Sequence, residues 1–379
     1  MNNPILIDIR DKITDIDEKI LTLLSSRIEL ATEVAKIKLE IHKPIKDVAR
    51  EDELLNRLVK LGKSYGLDES FVISLFKTII AQSVQTQQKW INQQINSTES
   101  NTARVVFLGP KGSYSHVAAR EFGRANLDKI IECYAHNFEE IFQTVEQGQG
   151  EYAIVPLENS SSGAINEVYD LLQNTHLFAV GEKIIPIDHC LMGITPISLD
   201  EITTVYSHPQ PFQQCSKFLA QYPNWKVVYC ESTASAMEKV SQLNSKGHVA
   251  IGSQAGGEMY GLSLIQKAPS NQGQNMTRFL ILSRQKNEIP EHIPSKTTFL
   301  MATGQHAGAL VEALVILKEH NIIMKKLESR PMKGNPWEEM FYIDVEGNSS
   351  SSHLQNALEA LRKQTRFLKI LGSYPTDNS

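Results

Sequence analysis

Apolar residues recur along the first forty positions at Ile9, Ile13, Ile16, Ile20, Leu23, Leu30, Val34, Ile37 and Ile41, in steps of four and three. This is a heptad seam in which the place between Leu23 and Leu30 is given to Arg27. A guanidinium on a buried seam costs on the order of several kcal/mol unless an anion meets it. Arg27 therefore pairs with a structural Glu, sets the register of the seam, or holds an anionic ligand. Lys38 follows about three turns later, within about 20° of Arg27 around the helix and roughly 16 Å along it, so the two could bracket a small dianion. Arg10 lies about 100° around from Arg27 and would have to be supplied by a second subunit. Two i,i+4 pairs add to the set: Asp47 with Glu51, beside Arg50, and Ser83 with Gln87. Taken singly, each is an ordinary solvated helix face. Together they offer cations for carboxylates, acceptors for a hydroxyl and neutral donors, without a nucleophile or a metal set. Such a site suits a reaction that needs only orientation and charge stabilisation.

A second set lies further along. Val105–Gly109 leads into Pro110-Lys111-Gly112-Ser113-Tyr114-Ser115 and a helix expected to start near His116. A strand, a glycine turn and a hydroxyl-rich helix start make an anion site. Leu157-Glu158-Asn159-Ser160-Ser161-Ser162-Gly163 reads as a repeat of that arrangement, and Ser207-His208-Pro209-Gln210-Pro211 as a third after Val205. Turn and cap chemistry explains any one of these alone. Asn275-Met276-Thr277-Arg278-Phe279 precedes another strand. His116, His136, His189 and His208 lie near these motifs without metal-ligand spacing, and His189 before Cys190 reads as a packed residue or one that supports a site residue, not as a catalyst. Gly148-Gln149-Gly150-Glu151-Tyr152-Ala153 imitates a dinucleotide fingerprint, but it precedes its strand instead of following it.

The elements that must hold these residues follow from composition and punctuation. A chain of 379 residues is long enough for two or three domains. Its 38 basic and 43 acidic residues, net −5, give no electrostatic case for nucleic acid. Cys133, Cys190, Cys215 and Cys230 form no C-x-x-C and read as reduced thiols. The charged start MNNPILIDIRDK and the lack of a long apolar run point to a soluble cytoplasmic protein with no membrane partner. Breaks at His42–Pro44 and Gly62–Gly66 predict three helices within 1–95, and a first helix over about 5–41 would be about 55 Å long, which favours a dimer. Asn92–Ala103 reads as a linker. Beyond it, short apolar runs at Val105–Leu108, Ala153–Leu157, Val249–Ile251 and Phe279–Leu282 alternate with helical patterns such as Glu139–Gln147 and Ala234–Gln242, which is α/β punctuation. After the polar break Gln285–Ser295, strands at Thr297–Ala302 and Glu339–Val345 and helices at Ala309–Glu319 and His353–Lys363 predict a small α+β module.

Arg10, Arg27, Lys38, Asp47, Arg50, Glu51, Ser83 and Gln87 together resemble the chorismate mutase domain of the bifunctional chorismate mutase–prephenate dehydratase family. The resemblance implies an all-helical dimer in which each site borrows Arg10 from the neighbouring chain. Arg10 and Arg27 would grip two carboxylates with Arg50 nearby. Lys38 and Gln87 would donate to the breaking ether oxygen, and Asp47 and Glu51 would hold the ring hydroxyl, with Ser83 lining the pocket. Thr277-Arg278-Phe279, with the upstream GPKGSYSH and ENSSSG, resembles the family's prephenate dehydratase domain. That implies two α/β lobes similar to periplasmic binding proteins, with prephenate in the cleft. Thr277 would be essential, with Ser115, Asn159, Ser207 and Gln214 orienting the substrate, and Arg278 serving either a carboxylate or a structural pair.

Gly308-Ala309-Leu310-Val311 opens a helix, and Glu328-Ser329-Arg330-Pro331 follows a second strand candidate. These pieces resemble the GALV and ESRP motifs of ACT regulatory domains in this family. Phenylalanine would bind between paired subunits at Gly308–Leu310 and Glu328–Pro331, with Asn335-Pro336-Trp337 close by. The implied organisation is chorismate mutase in 1–95, prephenate dehydratase in 104–284 and an ACT domain in 297–379, acting without metal, nucleotide or organic cofactor. The sister fusion to prephenate dehydrogenase would need NAD and a glycine-rich turn opening a helix. A non-catalytic binding protein would keep the cleft without turnover.

Overall fold

The computed structural model describes residues 4–41, 48–95, 102–268, 270–271, 275–290, 293–332 and 338–377. The chain divides into two compact units, Met1–Glu99 and Ser100–Ser379. Among the described residues, no helix is long and apolar enough to cross a membrane, and no three His, Cys, Asp or Glu gather as a metal would require.

The first unit is three helices, α1 (Pro4–Glu40), α2 (Val48–Ser64) and α3 (Glu69–Ile95). Helix α2 stops where Gly66 takes a φ of +74°, which lets Leu67 N–H return to Gly62 O at 3.0 Å. Asp68 then opens α3, its Oδ1 accepting from Ser70 N at 2.8 Å and Phe71 N at 3.1 Å. The buried apolar side chains described in this unit are Ala31, Ala35, Val72 and Ile80. The heptad stripe lies outside that small core, with exposure from 41% at Val34 to 70% at Leu23. Within one chain the seam that includes Arg27 is therefore left open along its apolar residues. At i, i+4 and i+8, Arg27, Ala31 and Ala35 share a face. That face meets α3, while Leu23 and Leu30 flank it and point outward. The predicted linker is also shorter, because α3 continues to Ile95.

The second unit begins with β1 (Thr102–Leu108), α4 (Tyr114–Asn126), β2 (Lys129–Ala135), α5 (Phe138–Glu146), β3 (Tyr152–Asn159), β4 (Gly163–Ala164), α6 (Asn166–Asn174) and β5 (Phe178–Pro186). The chain then crosses to a second lobe made of β6 (Cys190–Gly193), β7 (Thr204–Ser207), α7 (Pro209–Gln214), α8 (Ser216–Leu219), β8 (Lys226–Tyr229), α9 (Thr233–Leu243), β9 (His248–Gly252), α10 (Gln254–Met259) and β10 (Ser263–Lys267). It returns to the first lobe as β11 (Met276–Ser283). The lobe sheets run β2-β1-β3-β11-β5, with β4 on β3, and β10-β6-β9-β7-β8. Strand β11 is antiparallel to both neighbours and buried along nearly its whole length.

The last segment is β12 (Ser295–Thr303), α11 (Ala309–Glu319), β13 (Met324–Pro331), β14 (Glu339–Glu346), α12 (Ser352–Gln364) and β15 (Thr365–Pro375), an antiparallel sheet ordered β13-β14-β12-β15. Strand alternation gives this sheet two buried faces. Phe299, Met301, Ile343 and Val345 pack with α11 and α12. Leu300, Ala302, Tyr342 and Leu371 instead join the core of the first lobe around Leu280 and Leu282. Glu328–Pro331 lies within β13 itself, which corrects its expected place after a strand. The sheet lies against first-lobe backbone at Gly372, where an added Cβ would lie 2.1 Å from Ala179 O. Backbone cannot yield as a side chain can, so Gly372→Ala should cost about 1–3 kcal/mol. Urea denaturation of the full chain, followed by tryptophan fluorescence, would measure that loss against wild type.

Candidate active sites

In the helical unit, Arg27 reaches across to α3, where Nη1 donates to Ile79 O at 3.2 Å and also contacts Ser83 Oγ. Ser83 Oγ in turn donates to Ile79 O at 2.9 Å. One turn along α3, Gln87 is buried and its Oε1 has no hydrogen-bond partner. A buried amide oxygen left in that state is costly, and a ligand donor would relieve it. Lys38 is half-buried further along α1, as is Glu51 at the start of α2, while Arg50 and Arg10 are exposed. The structure therefore brings Arg27, Ser83 and Gln87 to one α1–α3 face and keeps Arg10 outside it. Asp47 lies outside the described residues.

The second site is built on β11 and β3. Thr277 stands directly opposite Asn159, and Asn159 Nδ2 lies 2.9 Å from Thr277 Oγ1, 2.7 Å from Asn275 Oδ1 and 3.1 Å from Met276 O. An amide donates here, so the threonine oxygen accepts and its own hydrogen is available for another acceptor. Asn159 Oδ1 is held by Ser161 N and Ser162 N at 2.9 and 3.0 Å. Those serines form a tight reversal into β4, and α6 starts only at Asn166. The Leu157–Gly163 segment is thus not a second helix-start site, because the Ser161 and Ser162 amides and the Ser162 hydroxyl orient Asn159, while Ser160 bonds the Met276 backbone.

The loop before α4 does match its expected form. Gly109 and Gly112 have φ of +82° and +86°, and Ser113 caps the helix by accepting from His116 N at 3.2 Å. Ser115 is buried in the first turn. Gly112 also meets the second lobe, because an added Cβ would lie 3.2 Å from Gly256 Cα and one on Gly256 only 2.4 Å from Gly112 O. Tyr260 Oη closes the same contact, donating to Lys111 O at 2.7 Å. On the second lobe, Ser207 ends β7 with its hydroxyl donated to Ile251 O at 2.8 Å. Gln214 ends α7 with Oε1 2.7 Å from His189 Nε2, while His189 Nδ1 lies 3.3 Å from Tyr114 Oη. Burial lowers the pKa of His189, so the ring is neutral and Nε2–H donates to the glutamine. Of the two readings of His189, the structure displays the supporting one, since the ring fixes which way Gln214 presents its amide.

Of the two roles open to Arg278, the structure displays the structural pair. Its guanidinium meets Glu158, Glu182 and Asp344. Gly308, at φ +87°, caps α11, with Ala309 buried and Leu310 against the core. Glu328 lies 3.2 Å from Lys326, Arg330 pairs with Asp170 at 3.1 Å, and Ser329 and Pro331 are exposed in β13. Asn335–Trp337 lies outside the described residues.

Sequence patterning missed one polar group beneath the first loop. His116 Nδ1 accepts from Gly112 N at 3.0 Å, and its Nε2 is 2.9 Å from Glu132 Oε1. Burial holds the His116 pKa below its ordinary 6.5. Burial also works against the charge of Glu132, but hydrogen bonds from His116, Arg120 and Tyr134 outweigh it and hold its pKa at about 2 instead of 4.5.

The prephenate dehydratase family model matches residues 105–287, and the chorismate mutase type II model matches residues 9–88. Over 376 residues the chain is 54% identical to the bifunctional chorismate mutase/prephenate dehydratase of Escherichia coli K12, spanning 99% of this chain and 97% of that protein. The prephenate dehydratase of Arthrobacter aurescens in complex with L-Phe is similar at 26% identity and TM-score 0.64, over 72% of this chain and 90% of that one. GqqA, described as a novel type of quorum quenching acylase, fits equally well at 30% identity and TM-score 0.64, over 73% of this chain and 98% of that one. The fold alone therefore does not fix the chemistry.

Both His116 and Glu132 have depressed folded-state pKa values, so each contributes stability at neutral pH that is lost on acidification. The His116 share should begin to disappear as pH falls through 6.5, and the Glu132 share between 4.5 and about 2. Thermal midpoints recorded by circular dichroism from pH 8 to 3 should fall less steeply between pH 7 and 5 in His116→Gln than in wild type. Parallel curves would contradict this assignment.

Proposed function

Because the chain belongs to the bifunctional chorismate mutase/prephenate dehydratase family, we propose that each of its two compact units carries one of the two reactions of phenylalanine biosynthesis. The observation that carries this reading is the separation of two polar sets. Arg27, Ser83 and Gln87 gather in Met1–Glu99, and Thr277 with Asn159 in Ser100–Ser379. We assign chorismate mutase to 1–95, prephenate dehydratase to 104–284 and a phenylalanine-binding ACT domain to 297–379, in a soluble cytoplasmic enzyme.

Rearrangement of chorismate to prephenate is unimolecular. Its site has to fold the substrate into the reactive conformer and stabilise negative charge on the ether oxygen as its bond breaks. Arg27, with Arg10 from a second copy and Arg50 nearby, would hold the carboxylates. Lys38 and Gln87 would donate to the ether oxygen, and Asp47 and Glu51 would take the ring hydroxyl. Gln87 donates as a neutral amide and needs no special protonation. The exposed stripe supports the second copy, since a row from Ile9 to Ile41 left uncovered among the described residues suits an interface with another chain.

Dehydration of prephenate breaks the bond to the ring carboxylate, releasing carbon dioxide. The electron pair moves into the ring, and the ring hydroxyl leaves with a proton as water. Asn159 fixes the Thr277 oxygen as acceptor and so aims the threonine hydrogen toward the departing hydroxyl. Ser115, Gln214 and Ser207 would orient the substrate from both lobes. In the last segment, the exposed Val311, Val315, Ile323 and Met324 beside edge strand β13 support pairing of two copies, with phenylalanine held near Gly308–Leu310 and Glu328–Pro331. Phenylalanine bound there would slow the dehydratase by favouring a less active arrangement.

Chorismate loss and phenylpyruvate appearance, followed without NAD and with or without phenylalanine, test the whole reading. Arg27→Ala and Lys38→Ala should each lower the mutase rate by about 10²–10³-fold and leave prephenate dehydration intact, and Thr277→Ala should do the reverse. Loss of both activities from either change in a folded protein would refute separate sites. Leu23→Asp with Leu30→Asp should yield monomers by sedimentation and abolish mutase activity, while a fully active monomer would rule out the shared site.

A further inference from the structure

Successive residues of a strand face opposite ways, so β11 presents Thr277 to the cleft and Arg278 to the face covered by the third sheet. One register step separates the Thr277–Asn159 pair from the Arg278–Glu158 pair. The shift between Arg278 and Phe279 leaves Leu157 as an extra residue on β3, a bulge that allows Leu157 and Glu158 to reach the same face. Arg278 is 8% exposed, and all its nitrogens are engaged. Nε meets Glu182 at 2.8 Å, Nη1 meets Glu158 at 3.1 Å and Asp344 at 2.6 Å, and Nη2 donates to Tyr374 Oη at 2.9 Å.

The partners come from both sides of the junction. Glu158 and Glu182 sit on β3 and β5, the two strands that flank β11. Asp344 and Tyr374 belong to β14 and β15. From β13, Lys326 reaches Glu158 at 2.5 Å, and from β12, Lys296 reaches Glu182 at 2.8 Å. Every strand of the third sheet therefore ends on the strands that carry the Thr277–Asn159 pair or on the strand next to them. The hydroxyls have a fixed direction. Thr298 gives its hydrogen to Asp344 at 2.5 Å, so Tyr374 must donate to Thr298 at 2.6 Å while accepting from Arg278.

We infer that this ionic cluster is the coupling element through which a ligand on the third sheet reaches Thr277 and Asn159. The inference rests on the reading of that sheet as phenylalanine-binding. Enclosed charges tolerate few arrangements, because any partner that withdraws leaves another charge buried and unpaired. A shift of β13 or β14 against the first lobe must then be followed by Arg278 and Glu158. Their chain neighbours are the two residues whose 2.9 Å contact sets the direction of the threonine hydroxyl. Arg330 also ties β13 to the first lobe, but through Asp170 on α6, which carries none of the cleft residues.

The test uses the full chain with L-phenylalanine as the probe, comparing wild type with Tyr374→Phe and with Lys326→Met, a milder change at a partly exposed residue. Equilibrium dialysis reads binding, and phenylpyruvate release reads activity. Both variants should bind phenylalanine and turn over prephenate within about threefold of wild type, yet keep a residual rate at saturating phenylalanine at least about fivefold higher, a typical allosteric coupling. Should Tyr374→Phe not fold, Lys326→Met alone decides. Variants that bind phenylalanine and are slowed as far as wild type overturn the coupling while leaving the phenylalanine reading intact. A wild type that neither binds nor responds removes that reading, and the coupling with it.

Discussion

An arginine enclosed between two sheets keeps its charge only where carboxylates surround it, and Arg278 imposes that requirement on the strands of both. Burial opposes the charge, but Tyr374, Asp344 and Glu182 more than offset it, so the guanidinium stays protonated at any working pH. The need for partners dictates identities at a distance. Glu158 and Glu182 must stand where an apolar residue would otherwise pack, and Asp344 interrupts the apolar face formed by Met340 and Tyr342. Around this polar centre the remaining contact is hydrophobic, with Leu280, Leu300 and Leu371 sharing a core. Charge fixes the register between the sheets, and burial of apolar area provides the adhesion.

The helical unit follows the opposite rule. It holds Arg27 on a face lined by alanines and serine, with little hydrophobic core beneath it among the described residues. Most of its large apolar surface faces outward along α1. A fold built this way depends on what covers that surface. In the other unit the polar pair is Thr277 and Asn159, where the amide donates to the hydroxyl oxygen and leaves its hydrogen for another acceptor.

Local periodicity revealed much of this. The three helices, the strand–turn–helix at Gly109–Ser115 and helix α11, from Ala309 to Glu319, follow from apolar spacing and glycine punctuation. Thr277 and Asn159 were nameable as candidates only through their motifs, and nothing in their spacing placed them opposite each other. The sequence is silent on pairings between distant residues. Arg278 meets Tyr374, and His116 meets Glu132, through sheet register and lobe packing that no local pattern encodes. The heptad stripe was legible only in part: periodicity marks which side chains are apolar, but not whether a chain covers them itself or leaves them for another surface. Likewise, the serines after Asn159 looked like a helix start because turns and caps draw on the same residues.

The meeting of Gly112 with Gly256 has a mechanical consequence. Where two lobes touch through side chains, the distance of closest approach is elastic, because rotamers yield. Here the main chain of one lobe bears on the main chain of the other, with no Cβ between them. The lobes therefore cannot come nearer at this point unless the backbone itself moves. The Lys111–Ser113 turn carries the first-lobe side of that contact and runs directly into the buried Ser115. The spacing of the two lobes is thus fixed, at this point, within three residues of the buried Ser115.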